Sequence, residues 1–229
     1  ISLGIGQGYN NFTMLQLASA TATLVSGGQR YKPRLVREVE DVATGERRPT
    51  SSVALPPLPL KPEHVELINR ALHGVTQEGT SVRSYLGAPY KTGGKTGTAQ
   101  AVGIRQNEKY NAAKLEEHKR DHSLYMAFAP LEAPTIALAI VVENAGFGSE
   151  AAAPISRRVF DYALAGLWPS DEDIALTREG KSTMPVGKPR PAAEVTLPGA
   201  TTVLPSVAAA SAPAAQKVAQ GDAVPGGAR

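Results

Sequence analysis

Two apolar runs, 124–129 and 135–142, split by Pro130 and Pro134, constrain what this chain can fold into more than any other feature. Each is about one strand long, and the prolines between them suit a turn but cannot donate to a sheet ladder. The pattern predicts two adjacent antiparallel strands. A third strand is expected over 95–104, which has neither the length nor the charge pattern of a helix. Ile155, Val159, Tyr162, Ala163 and Leu167 outline a helix able to lie on this sheet.

Upstream, Thr13 can cap a helix whose apolar positions Met14, Leu17, Ala18, Thr21, Leu24 and Val25 keep helical spacing, with Gly27-Gly28 ending it. Residues 31–42 read as a strand or hairpin arm bounded by Thr44-Gly45. Pro56, Pro57 and Pro59 make a stiff connector. Pro62 then suits the first turn of a helix carrying Val65, Ile68, Leu72 and Val75, closed near Gly79. The charged stretch 107–120 is expected to be a solvated helix. The order helix, strand, helix, three strands, helix predicts an α+β fold, an antiparallel sheet with packed helices.

The chain has 229 residues, room for one domain and a tail but not for two large catalytic domains. With 42% hydrophobic and 20% charged residues it can bury a core. Composition shifts near Pro185, after which aromatic residues and isoleucine are absent. The expected organisation is a folded part over 1–168, a polar extension over 169–184 and a disordered Ala/Pro-rich tail over 185–229. A net charge of +3 without a basic block gives no case for a nucleic-acid partner. The lack of cysteine excludes disulfide frameworks, zinc ribbons and thiol catalysis. No apolar run reaches the ~18 residues of a membrane span.

The densest chemical signal is Tyr90-Lys91-Thr92-Gly93-Gly94-Lys95-Thr96-Gly97-Thr98-Ala99-Gln100. Gly94-Lys95-Thr96 matches the end of a phosphate-binding P-loop, but Pro89 stands where its first glycine belongs, and 98–103 read as extended chain rather than helix. Alternatively, Lys95-Thr96-Gly97-Thr98 borders an acyl-transfer site: an ammonium and short hydroxyls hold a carboxylate, and glycine lets a peptide lie against the strand. A plain glycine-rich turn with an exposed lysine is the third reading. The triplet Lys-Thr-Gly occurs twice, at Lys91 and Lys95, so context has to choose.

That context resembles one family. Lys95-Thr96-Gly97-Thr98-Ala99-Gln100 is similar to the third motif of the penicillin-binding transpeptidase domain. Gly4-Ile5-Gly6-Gln7-Gly8-Tyr9 followed by Thr13-Met14-Leu15-Gln16-Leu17-Ala18 resembles its G-Q-G and T-P-L-Q-L-A segment, with Met14 where proline is usual. His122 to Pro130 resembles the strand ending in F-A-P, and a Gly-rich turn before Ala151 completes the pattern. The charged linker 107–121 looks most like the elongation-type class B enzymes, penicillin-binding protein 2, with the division type as runner-up.

The resemblance implies the C-terminal part of a serine β-lactamase/penicillin-binding transpeptidase fold. It also implies a periplasmic peptidoglycan D,D-transpeptidase that acts on D-Ala-D-Ala stem peptides and is acylated by β-lactams, with no metal or organic cofactor. Implied partners are a glycosyltransferase and other cell-elongation proteins, and the implied membrane attachment is an N-terminal anchor outside this sequence. By position, Lys95 would bias the site toward the substrate carboxylate, and Thr96 and Thr98 would offer it hydroxyls. Gly97 would keep the strand edge open, and the Thr98 N–H would donate to the oxyanion.

No serine here has a lysine three residues later, and no Ser-x-Asn occurs. The nucleophile and general base are therefore expected upstream of Ile1, and this stretch alone is expected to be inactive. Thr92 stands three before Lys95, but in a glycine-rich turn, and reads as coincidence. A catalytically silent module of the same fold, or a β-lactamase or β-lactam sensor, are the alternatives. His118 and His122 have zincin spacing, but Lys119 replaces the required glutamate, so a solvated helix face is the simpler reading. His64 and His73 are expected at the surface of their helix, and Trp168, with Leu164 and Leu167, as a packing anchor.

Overall fold

The computed structural model describes Gly6, Gly8 and residues 10–103, 110–181 and 184–196. The remainder of the G-Q-G segment, Ile104 at the end of the third strand, residues 107–109 of the charged stretch and 197–229 of the tail lie outside the described residues.

Helix α1 (Met14–Val25) starts where the sequence puts it, on a capping box: Thr13 Oγ1 accepts from Gln16 N at 3.2 Å, and Gln16 Oε1 accepts from Thr13 N at 2.8 Å. Two short pairings follow, β1 (Arg30–Tyr31) with β4 (Ala54–Leu55) and β2 (Glu38–Glu40) with β3 (Arg47–Pro49). Of the expected 31–42 arm, Tyr31 falls in β1 and 38–40 become β2, and Leu35, Val36, Val39 and Val42 stay exposed, as does every residue of the β2–β3 pair. Helix α2 (Pro62–Gln77) has proline in its first turn as expected, and the short α3 (Val82–Tyr85) follows.

The sheet is β5 (Gly93–Ala99), β6 (His122–Ala129) and β7 (Ile136–Val142), antiparallel in that order, so β5 and β7 are its edges. Opposed residues of an antiparallel pair share a face. Tyr125, Ala127 and Ala129 of β6 therefore join Ile136, Leu138 and Ile140 of β7 on one face, which α4 (Ala152–Ala165) covers. On the other face, Phe128 and Leu72 of α2 both press toward Gly93.

Helix α4 buries a different stripe from the one its large aliphatics suggest. Ile155 and Val159 are 41% and 42% exposed, whereas Ala152, Ala153, Ser156 and Phe160 are fully buried. Tyr125 with Ala127 and Ala129 makes a stepped surface onto which a small-residue face can settle closely, leaving one ring, Phe160, to fill the remainder. Leu167 lies beyond the helix, which Gly166 ends in a left-handed conformation. The stretch 107–120, expected to be helical, holds only two single 3₁₀ turns among its described residues, Ala112–Lys114 and Glu117–Lys119. It buries too little apolar surface to hold a longer helix.

Ordered structure continues past Trp168. β8 (Leu167–Trp168) pairs with β9 (Arg190–Pro191) around α5 (Asp171–Arg178), inside stretches expected as extension and tail. Ser170 Oγ accepts from Asp173 N and donates to Val186 O at 2.7 Å, and Ala192 N donates to Gly166 O. Arg158 of α4 reaches Asp173 at 2.5 Å. Local polar pairing, rather than an aromatic core, holds this segment.

The core carries two buried phenols, Tyr85 and Tyr125, and a half-buried one, Tyr90. Burial pushes Tyr125 up to about 12. Burial, and next the neighbouring Tyr125, raises Tyr85, and burial followed by the Asp161 carboxylate raises Tyr90. An unfolded phenol loses its proton near pH ~10. Above that pH the unfolded chain binds fewer protons than the folded one, so stability falls as pH rises. The melting temperature is expected to drop between about pH 10 and 12, with the phenolate absorbance of Tyr85, Tyr90 and Tyr125, read as the difference between the parent and the Phe variant of each, rising only on unfolding. A phenolate contribution from these three at pH ~10 in the still-folded protein would contradict this.

Candidate active site

The two Lys-Thr-Gly triplets meet opposite fates. In the first, Lys91 reaches Glu132 across an exposed 3.1 Å pair. Thr92 is 1% exposed, and its hydroxyl donates to Phe128 O at 2.7 Å. Its carbonyl accepts from Thr76 Oγ1 at 3.0 Å and is 2.9 Å from His73 Nδ1. Thr92 is thus a structural tie between α2 and β6, which leaves no role for it as a nucleophile. His73, expected at the surface, is half-buried and part of the same tie.

The second triplet lies along β5, whose outer edge meets no other strand among the described residues. Every second residue of such an edge turns its N–H and C=O away from the sheet. The strand is extended through Thr98 and leads into no helix, so the P-loop reading fails. Register places Lys95 opposite Met126, Thr96 opposite Tyr125 and Thr98 opposite Ser123. Lys95 is therefore on one face of the strand and Thr96 with Thr98 on the other. Lys95 is exposed, its ammonium donates to Thr96 O at 2.7 Å, and no carboxylate lies within ion-pair distance of it among the described residues.

Two close approaches hold this strand from behind. Gly94 lies so near the Tyr125 ring that a Cβ there would be 2.3 Å from its hydroxyl. Gly148, in the loop between β7 and α4, packs on the strand backbone: a Cβ would be 2.2 Å from Leu124 O, 2.7 Å from Gly97 O and 3.0 Å from Gly97 N. That loop is anchored by Ser123 Oγ, which donates to Phe147 O at 2.9 Å and accepts from Ala152 N at 3.1 Å. The sequence signal here is only a Gly-rich turn. Thr80, whose hydroxyl is 2.9 Å from that of Thr96, carried no sequence signal at all.

An ammonium with no carboxylate partner, two hydroxyls and a strand edge that meets no other strand, all among the described residues, suit an extended peptide ending in a carboxylate. The profile of the penicillin binding protein transpeptidase domain matches residues 1–161. The chain belongs to this transpeptidase family. It is 38% identical over 188 residues to the peptidoglycan D,D-transpeptidase MrdA of Haemophilus influenzae, covering 80% of this chain and 28% of that protein. Among solved structures it resembles Pseudomonas aeruginosa PBP2 in complex with WCK 5153, at 32% identity and TM-score 0.54 over 71% of this chain and 32% of that one. It also resembles the imipenem acyl-enzyme complex of penicillin-binding protein A from Mycobacterium tuberculosis, at 27% identity and TM-score 0.54 over 71% and 33%. The transpeptidase fold is therefore shown, as is the resemblance to penicillin-binding protein 2, while the chain spans less than a third of the length of these relatives.

The remaining residues singled out in the sequence stay outside this edge. His118 is in a 3₁₀ turn near Glu116, and His122 is in β6, where its Nδ1 accepts from Asn144 N, so no helix joins them. His64 is exposed, and Trp168 packs edge-on against Tyr162. Among the described residues no group of three or more His, Asp and Glu side chains is placed to hold a metal ion.

Proposed function

We propose that this chain supplies the Lys95-Thr96-Gly97-Thr98 wall of a peptidoglycan D,D-transpeptidase. In that reaction a serine outside this sequence attacks the D-Ala-D-Ala carbonyl. D-alanine leaves, and the acyl group passes from the serine to an amine of a neighbouring stem peptide. The stem peptide lies antiparallel along the free edge of β5, where Gly97 lets it approach. The Lys95 ammonium attracts its terminal carboxylate, Thr96 and Thr98 donate to that carboxylate, and the Thr98 N–H stabilises the oxyanion. β-Lactams enter as carboxylate-bearing mimics of the same peptide, in keeping with the acyl-enzyme formed by the mycobacterial relative. The enzyme works at the periplasmic face of the inner membrane, held by an anchor outside this sequence, beside a glycosyltransferase and other elongation proteins. None of the described helices is long and apolar enough to cross a membrane.

The observation that carries this reading is the contrast between the triplets: Thr92 is buried and spent on structure, whereas Lys95 stands on an edge that meets no other strand and no carboxylate partner among the described residues. Labelling the full-length protein with a fluorescent penicillin tests it. Lys95→Ala is expected to slow acylation about 100-fold and Thr98→Val about tenfold, with cross-linking falling in parallel. Wild-type labelling in Lys95→Ala would remove the assigned role. Labelling without any cross-linking would favour the β-lactam sensor, and no labelling at all the silent module.

A further inference from the structure

We infer that Thr80 positions the hydroxyl of Thr96 for carboxylate recognition, an inference that rests on the transpeptidase reading above. Thr80 is in the turn that follows α2, and its Oγ1 is 2.9 Å from Thr96 Oγ1. The turn is fixed from beneath. Ser81 donates to Val75 O through both its N–H and its hydroxyl, each at 3.1 Å, and its Oγ is 2.9 Å from Tyr125 OH. Ser81 and Tyr125 are both buried, at 1% exposure, and Tyr125 is the residue opposite Thr96 in the β5–β6 ladder.

Thr80 and Thr96 are thus tied to the same β6 residue, one through Ser81 and the other through strand register. The core sets their separation. A threonine hydroxyl has one proton and two acceptor positions. With Thr80 donating to Thr96 Oγ1, the Thr96 proton is left to point along the free edge, toward an anion drawn in by Lys95. Without the Thr80 hydroxyl, the Thr96 side chain loses the partner that holds its rotamer and can turn its proton elsewhere. Thr80 acts through Thr96 and is a positioning residue.

The test compares Thr80→Val, Thr80→Ser, Thr96→Val and the double variant Thr80→Val/Thr96→Val in the full-length protein, by penicillin acylation rate and by thermal melting. Thr80→Val is expected to slow acylation about tenfold at an unchanged melting temperature, and Thr80→Ser to restore it. The double variant should be no slower than Thr96→Val alone, because the two hydroxyls act as one unit. Additive losses, or a loss that Thr80→Ser does not rescue and that follows the melting temperature, would assign Thr80 a merely structural role. A wild-type rate in Thr80→Val beside a normally acylating parent overturns this inference alone. A parent that takes up no penicillin overturns the transpeptidase reading and this inference with it.

Discussion

Gly148→Ala is expected to abolish useful acylation, slowing penicillin labelling of the full-length protein by about 100-fold or more. The added methyl would meet Leu124 O, Gly97 O and Gly97 N, all within 3.0 Å and all backbone. A flexible side chain could swing aside, but peptide groups engaged in a ladder cannot. Either the loop after β7 lifts off the sheet, or β5 bows outward at Gly97. In both cases the Thr98 N–H and the Lys95 ammonium lose their relation to the attacking hydroxyl, and displacements near 1 Å are enough for losses of ~100-fold. Gly103→Ala is the matched control, since a Cβ there meets nothing within 4 Å. Normal labelling of Gly148→Ala would show that the strand is not braced from this loop.

Asp161→Ala is expected to cost about 3 kcal/mol or more, because it strands a buried guanidinium. The Arg157–Asp161 side chains are 9% and 11% exposed and 2.8 Å apart, with Arg157 Nε donating to both carboxylate oxygens. Arg157 also donates to Ser84 O and Leu86 O, and Asp161 accepts from Tyr90 OH at 2.8 Å. One carboxylate therefore ties α4 to the loop after α3 and to the chain leading into β5. At roughly 2–4 °C per kcal/mol, the melting temperature should fall by about 6–12 °C. Glu40→Ala breaks an exposed pair with Arg47 and should cost under ~1 kcal/mol. Equal effects from the two substitutions would show that the buried pair has no special weight.

Sequence and structure agree where the signal is local. The capping box at Thr13, proline in the first turn of α2 and the proline-split strands β6 and β7 each depend on neighbours a few residues apart. Sequence and structure part where a contact spans the chain. Large aliphatics on α4 suggested Ile155 and Val159 as its buried stripe, but the alanines of β6 select the small-residue face. Charge suggested a helix over 107–120, but charge alone supplies no buried face to hold one. Residues 185–196 lack aromatics and so looked unfoldable, yet Gly166, Ser170 and Trp168 secure them by backbone and side-chain hydrogen bonds. At the site, Lys95, Thr96, Gly97 and Thr98 were legible as a motif. Thr80 and Gly148 were not, since each meets β5 across 16 residues or more.

Sequence by itself determined the order of α1, α2, β5, β6, β7 and α4, the missing Ser-x-x-K motif and the family to which the chain belongs. These are properties of short windows read one after another. Only the tertiary structure decided which of two identical triplets is free to bind. Lys91-Thr92-Gly93 and Lys95-Thr96-Gly97 have the same side chains, and the difference is the β5–β6 register. That register drives Thr92 into the Phe128 carbonyl and leaves Lys95 on an edge with no strand beyond it among the described residues.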